Sequence, residues 1–179
     1  MNRTDHIRLL AQYNQQMNAR LISAAETLSE EALKADRQAF FGSIFGTLNH
    51  LAVADTLWLK RFALHPATYV ALSEITKAPT PTSLGQQLHP DLNSLTTYRR
   101  DVDQMVIAWT EEITEPDLDH VFRYTNSRGD VGNKPFFGLV MHFFNHQTHH
   151  RGQATALLSQ AGADYGVTDL ITLMRDEPT

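Results

Sequence analysis

Apolar residues spaced three and four apart run through four long stretches of this chain, and that periodicity constrains its fold more than any other feature. A face that repeats about every 3.6 residues is buried by a helix, whereas a half-buried strand repeats every second residue. The first stretch runs from about Asp5 to Leu28, with Ile7, Leu10, Met17, Leu21 and Ala24 on one stripe and Thr4 or Asp5 as the candidate cap. The second runs from about Ser43 to Leu64 and stops at His65-Pro66. The third follows Pro90, a residue suited to a first helical turn, and ends near Glu115-Pro116. The fourth begins near Pro135 and runs to Gln160, where Ala161-Gly162 halts it.

The expected architecture is therefore all-α, with one domain over residues 1–179. Two of the links are long. Residues 66–89 carry Pro79 and Pro81 and are expected to cross one end of the bundle. Residues 122–134 alternate around Asn126-Ser127-Arg128-Gly129 and read as a small hairpin. A short fifth helix is expected around Thr168–Met174. Long second and third links argue against a simple up-down-up-down bundle.

A chain of 179 residues can bury a core without staples, so a metal here would serve function rather than folding. The absence of cysteine removes disulfides, thiolate sites and cysteine nucleophiles, and agrees with a reducing compartment. The N-terminus lacks an apolar run and cleavage pattern, and no stretch approaches a membrane span, so a cytoplasmic protein is expected. With a formal charge of −5 and scattered basic residues, the chain has no basic stripe for nucleic acid.

Nine histidines stand out in this composition, four of them within Met141–Gln153, MHFFNHQTHHRGQ. Helical spacing puts His142, His146 and His150 on one stripe with apolar neighbours, pointing inward, while His149 is turned aside. Buried imidazoles resist protonation together, and a divalent cation resolves that conflict. His142 and His150 lie eight residues apart, about 12 Å along the axis, so one ion must choose an adjacent pair. A third ligand is expected from another helix. His6, His65, His89 and His120 fall at helix ends or in loops, which leaves His50 inside the second helix. Its depth favours His146 with His150 over His142 with His146 if those helices are antiparallel. A lone interior histidine can equally be a hydrogen-bonded core residue, and His142 can be core or a supporting group.

The segments NHQTHHRGQ and GTLNHL, together with YNQQMNARLI, FRYTNSRG and HRGQATALLSQAG, resemble the DinB family of metal-binding four-helix bundles over nearly the whole chain. The resemblance implies an up-down-down-up bundle, usually a homodimer, with zinc or nickel held by His50, His146 and His150. Three neutral histidines leave a coordination position open. Such a position can acidify a water for hydrolysis or deprotonate a low-molecular-weight thiol for transfer or isomerisation, the chemistry of characterised relatives. Gln147 stands where a helix-borne metalloprotease has Glu, so Asp55, on a helix, and the carboxylates outside the helices are the remaining candidates for a base. The thiol reading is preferred over hydrolysis, and a non-catalytic metal- or ligand-binding stress protein is the third possibility. Gln153 is placed to touch substrate and Arg151 to form an ion pair. Arg123, Tyr124 and Asn126 could line a pocket mouth, and Trp58 and Trp109 belong to core or a dimer interface.

Overall fold

The computed structural model describes residues 2–126, 128–174 and 176. Six helices and one antiparallel hairpin make up its regular structure among these residues: α1 (Arg3–Glu26), α2 (Glu30–Lys34), α3 (Ile44–Phe62), α4 (Ser73–Lys77), α5 (Leu92–Glu112), β1 (Val121–Thr125), β2 (Val131–Pro135) and α6 (Phe136–Gln160). The four long helices fall where the periodicity places them, but their starts are set by other caps. Asn2 begins α1, its side chain accepting from the Asp5 amide at 2.7 Å while the Asp5 carboxylate accepts from the Asn2 amide. Asp91 rather than Pro90 begins α5, accepting from the Ser94 amide at 2.8 Å. Ser43 caps α3 through the Gly46 amide at 3.0 Å.

The hairpin forms as expected, with Val121 opposite Pro135 and Thr125 opposite Val131. Asn126 closes its turn by accepting from the amides of Arg128 and Asp130, each at 2.9 Å, and Gly129 takes a positive φ. Ser127 of that turn lies outside the described residues. The expected C-terminal helix is instead a single 3-10 turn, Leu170–Leu173, because the segment buries no residue and so has no face to hold a longer helix.

Side-chain partners give the packing. Asp55 meets Gln147 and Phe62 meets Phe136, so α3 and α6 run antiparallel. Asp55 also meets Arg99 and Phe62 meets Trp109, so α3 and α5 run parallel. Two parallel neighbours need a connection as long as the helices. That is why residues 66–91 do not cross one end but return along α3. Lys60 Nζ donates to the carbonyls of Ile75, Thr76 and Ala78 at 2.6–3.1 Å. One helical end further on, Asn49 donates to the Gln86 carbonyl and accepts from the Leu88 amide.

The interior divides into three zones. Trp109, Phe62, Phe136, Phe143 and Ile7 fill one end, and Leu21, Ile44, Leu51, Leu95 and Leu158 fill the other. Between them lies a buried polar layer. Arg99 bridges Asp55 at 2.6 Å and Asp103 at 2.9 Å, Asn18 donates to Asp103 at 2.9 Å, and Arg151 reaches Asn14. Arg151 therefore makes amide and hydroxyl bonds and stacks over Tyr13, in place of the expected ion pair.

His65 is buried in the aromatic end, its ring stacked with Tyr69 and Phe122 and 4.4 Å from Phe136. Burial lowers its pKa, His120 adds to the effect, and Asp117 opposes it. A folded-state pKa below that of the unfolded chain gives stability that is present above about pH 6.5 and lost as pH falls toward the folded value. Acidification from pH 7 to 5 is therefore expected to lower the melting temperature of the parent more than that of His65→Phe. Parallel thermal melts across that range would check it, and equal pH slopes would contradict it.

Candidate metal centre

Three elements build the site. His50 comes from the second turn of α3, where it is 2% exposed. Its Nδ1 donates to the Leu84 carbonyl at 2.8 Å, a contact that Asn49 makes possible by pinning the returning segment to the same helix. With Nδ1 committed as donor, Nε2 is left as an acceptor. That atom is buried and has no protein partner. A buried imidazole nitrogen with its lone pair unused is what a metal ligand requires.

His146 and His150 come from α6. The ring centres of His50 and His150 and of His146 and His150 lie 4.4 Å apart, and those of His50 and His146 lie 5.3 Å apart. One nitrogen from each residue falls within 4.8 Å of the others, a cluster that could hold a metal ion. His150 Nδ1 lies 2.7 Å from Gln153 Oε1, so Gln153 orients a candidate ligand and leaves Nε2 free. Desolvation holds His50 down to about 4 and, with its three neighbouring histidines and His149, holds His146 down to about 3. Both rings are thus neutral near pH 7, the protonation state a divalent cation needs.

The structure corrects the inward-facing stripe. The fully buried line on α6 is Val140, Phe143, Gln147, Arg151, Ala154 and Leu158. His146 and His150 sit on its shoulder, half-buried, and His142 is exposed. His142 packs on Trp58 at 5.1 Å and stands outside the cluster, as does exposed His149. Asp55 is also corrected. It is 1% exposed and bonded to Arg99 and Gln147, so it cannot act as a base at the metal. Gln147 faces the core and donates to Asp55 and, at 3.3 Å, to the Leu51 carbonyl.

Phe41 was not singled out by sequence. Its ring stacks on His50 at 3.8 Å with an interplanar angle of 16°, walling one side of the cluster. The turn carrying it is held close to α3. A Cβ at Gly46 would collide with the Phe41 carbonyl oxygen, so only glycine fits there. The Phe40-Phe41-Gly42 run before the capped helix was the available signal, but nothing in it tells which ring turns inward.

The family model described as the DinB family matches residues 1–178. The chain belongs to the DinB family. Protein DinB of Bacillus subtilis (strain 168) is similar to it, 27% identical over 164 residues that cover 88% of this chain and 90% of that protein. No solved structure matches. In this DinB chain the histidines of the GTLNHL and NHQTHH segments are the ones that converge.

A groove of about 520 Å³ adjoins the cluster through Leu84. It lies between α3 and the returning segment, and Thr125 and Asn126 of the hairpin also line it. Tyr124 packs on Trp58 at 5.5 Å beside it, whereas Arg123 is exposed and does not line it. Trp109 is wholly core. Among the described residues no helix is long and apolar enough to cross a membrane.

Proposed function

We propose that this DinB-family protein holds one zinc or nickel ion on His50, His146 and His150 and activates a low-molecular-weight thiol for transfer or isomerisation. The scaffold we propose is a single domain over residues 1–179, a four-helix bundle of up-down-down-up topology. Its direction is supported by the partner pairs already described, together with Arg3 against Glu115 and Asn18 against Asp103, which set α1 antiparallel to α5. Arg3 also lies over Phe137 while Asn14 meets Arg151, which sets α1 parallel to α6.

The observation that carries the chemistry is a cluster of three neutral histidines that no carboxylate joins among the described residues. When bound, a divalent ion supplies the positive charge that keeps a thiol deprotonated near neutral pH. A protein base beside the ion would favour hydrolysis, and Asp55, the helical candidate, is committed to Arg99 and Gln147. Thiol transfer needs none. The thiol proton passes to solvent, the sulfur lone pair forms the bond to an electrophilic carbon, and the leaving group departs with its bonding pair. His50 and His150 are held in place by Leu84 and Gln153, while Phe41 keeps water from one side.

The metal-loaded protein should consume an alkyl halide or epoxide with glutathione, bacillithiol or mycothiol, and should not do so when the thiol is left out. Consumption without thiol, measured by loss of the electrophile, would favour a metal-dependent hydrolase. No consumption under either condition would leave a metal-binding protein without this activity.

A further inference from the structure

We propose that Arg61 binds the carboxylate of a small organic anion lying in the groove beside the metal cluster. This rests on the reading of the triad as a metal centre, since the other end of that anion would be the group that reacts there. Among the described residues the groove is lined by Lys60 and Arg61 and by no acidic side chain, although the chain as a whole carries a charge of −5. Its remaining polar lining is hydroxyl and amide, including Thr80, Thr82 and Asn126.

The two cations differ in availability. The Lys60 ammonium is spent on three carbonyls at the end of α4. The Arg61 guanidinium carbon lies over Trp58, 4.8 Å from the ring centre, and 6.0 Å from the Tyr124 ring centre. Among the described residues no carboxylate forms an ion pair with it. Burial lowers its pKa, and only Tyr124 acts in the other direction. Partial burial strips some water from this cation, so an anion placed there would be favoured. Contact with aromatic rings does not use the guanidinium N–H donors, which can receive a carboxylate by two parallel hydrogen bonds.

Position along α3 links this cation to the chemistry. Leu57, Arg61 and Leu64 share the helical face of His50, and eleven residues separate Arg61 from His50, about 16 Å between their Cα atoms at the helical rise. An arginine side chain on a helix leans toward the N-terminus and so toward His50. Between them, His142 sits 5.1 Å from Trp58 and 5.9 Å from His146. At the near end, Leu84 lines the groove with its side chain and holds His50 with its carbonyl. The lean of the Arg61 side chain shortens the gap an occupant must bridge, and an extended molecule of tripeptide size covers roughly 10 Å of it.

The test is calorimetric titration of the metal-loaded protein and its variants with three probes. S-methylglutathione represents a carboxylate carried by the thiol partner, maleate one carried by the electrophile, and glutathione diethyl ester a thiol without free carboxylates. Arg61→Met is expected to weaken one of the two carboxylate probes roughly 10- to 100-fold, the worth of a charged hydrogen-bonded pair, and to leave the diethyl ester unchanged. The probe that weakens names the partner carrying the anion. Arg61→Lys, which keeps the charge and loses the two-point geometry, should fall between, and it serves if Arg61→Met melts early. His146→Ala should instead abolish binding of the diethyl ester. If the ester never binds the parent protein but a carboxylate probe still depends on Arg61, the thiol reading falls and the anion site stands. If both carboxylate probes bind parent and Arg61 variants equally, or bind none of them, the anion site is overturned.

Discussion

Protein purified with His146→Ala is expected to carry almost no divalent metal, against close to one ion per chain for the parent. His50→Ala and His150→Ala should behave alike, while His149→Ala and His142→Ala should stay loaded. The reasoning is geometric. Among the described residues one nitrogen each of His50, His146 and His150 falls within 4.8 Å of the others, so removing any one leaves two, and neither His142 nor His149 belongs to the cluster. Changing a residue that merely supports a ligand costs metal affinity on the order of 10–100-fold, and loss of a ligand itself should exceed that. Gln153→Ala, which frees His150 Nδ1, should therefore show the smaller loss. Elemental analysis of the purified variants decides the matter, with competitive chelator titration for the weaker effects. A fully loaded His50→Ala protein would sink the triad.

Asp55→Ala is expected to produce the largest loss of stability, about 3 kcal/mol. Deleting one partner of a buried ion pair typically costs roughly 3–5 kcal/mol, because the remaining charge stays desolvated. Here the low end applies, since Arg99 keeps Asp103 at 2.9 Å. The Asp55 carboxylate also receives Gln147 and so ties α3 to α6 one residue from a candidate ligand. Burial pushes its own pKa up to about 6, against the pull of Arg99, which shows how costly an isolated charge would be at this position. Urea unfolding monitored by circular dichroism would give the difference, and a loss below about 1 kcal/mol would be inconsistent with a fully buried pair. Replacing Asp55 and Arg99 together with leucine should not restore the loss, because Asp103 would then be buried without its guanidinium. Asp55→Ala should still bind one ion while folded, which separates a supporting role from a ligand's.

The long helices, the hairpin turn and the three converging histidines were all legible in the one-dimensional pattern. Each depends on spacing that a helix or a tight turn converts directly into position: four residues between His146 and His150, and an Asn-x-x-Gly turn between two alternating runs. The same local rules misplaced what long-range packing decides. They set the histidine stripe inward, yet Gln147 and Arg151 occupy the deepest line of α6 because Asp55 and Asn14 wait for them on other helices. They offered Asp55 as a base, because nothing near it in sequence reveals Arg99 forty-four residues away. They drew residues 66–89 across one end, because the parallel course of α3 and α5 is a property of the packed helices alone.

The opening periodicity, then, determined by itself that this chain is mainly helical and which faces of its helices could be buried, since hydrophobic burial follows spacing. Which polar groups share the interior, which ring walls the cluster and which cation is left facing the groove were decided only by tertiary structure. Those outcomes depend on contacts between residues far apart in sequence, whose pairing no local repeat encodes.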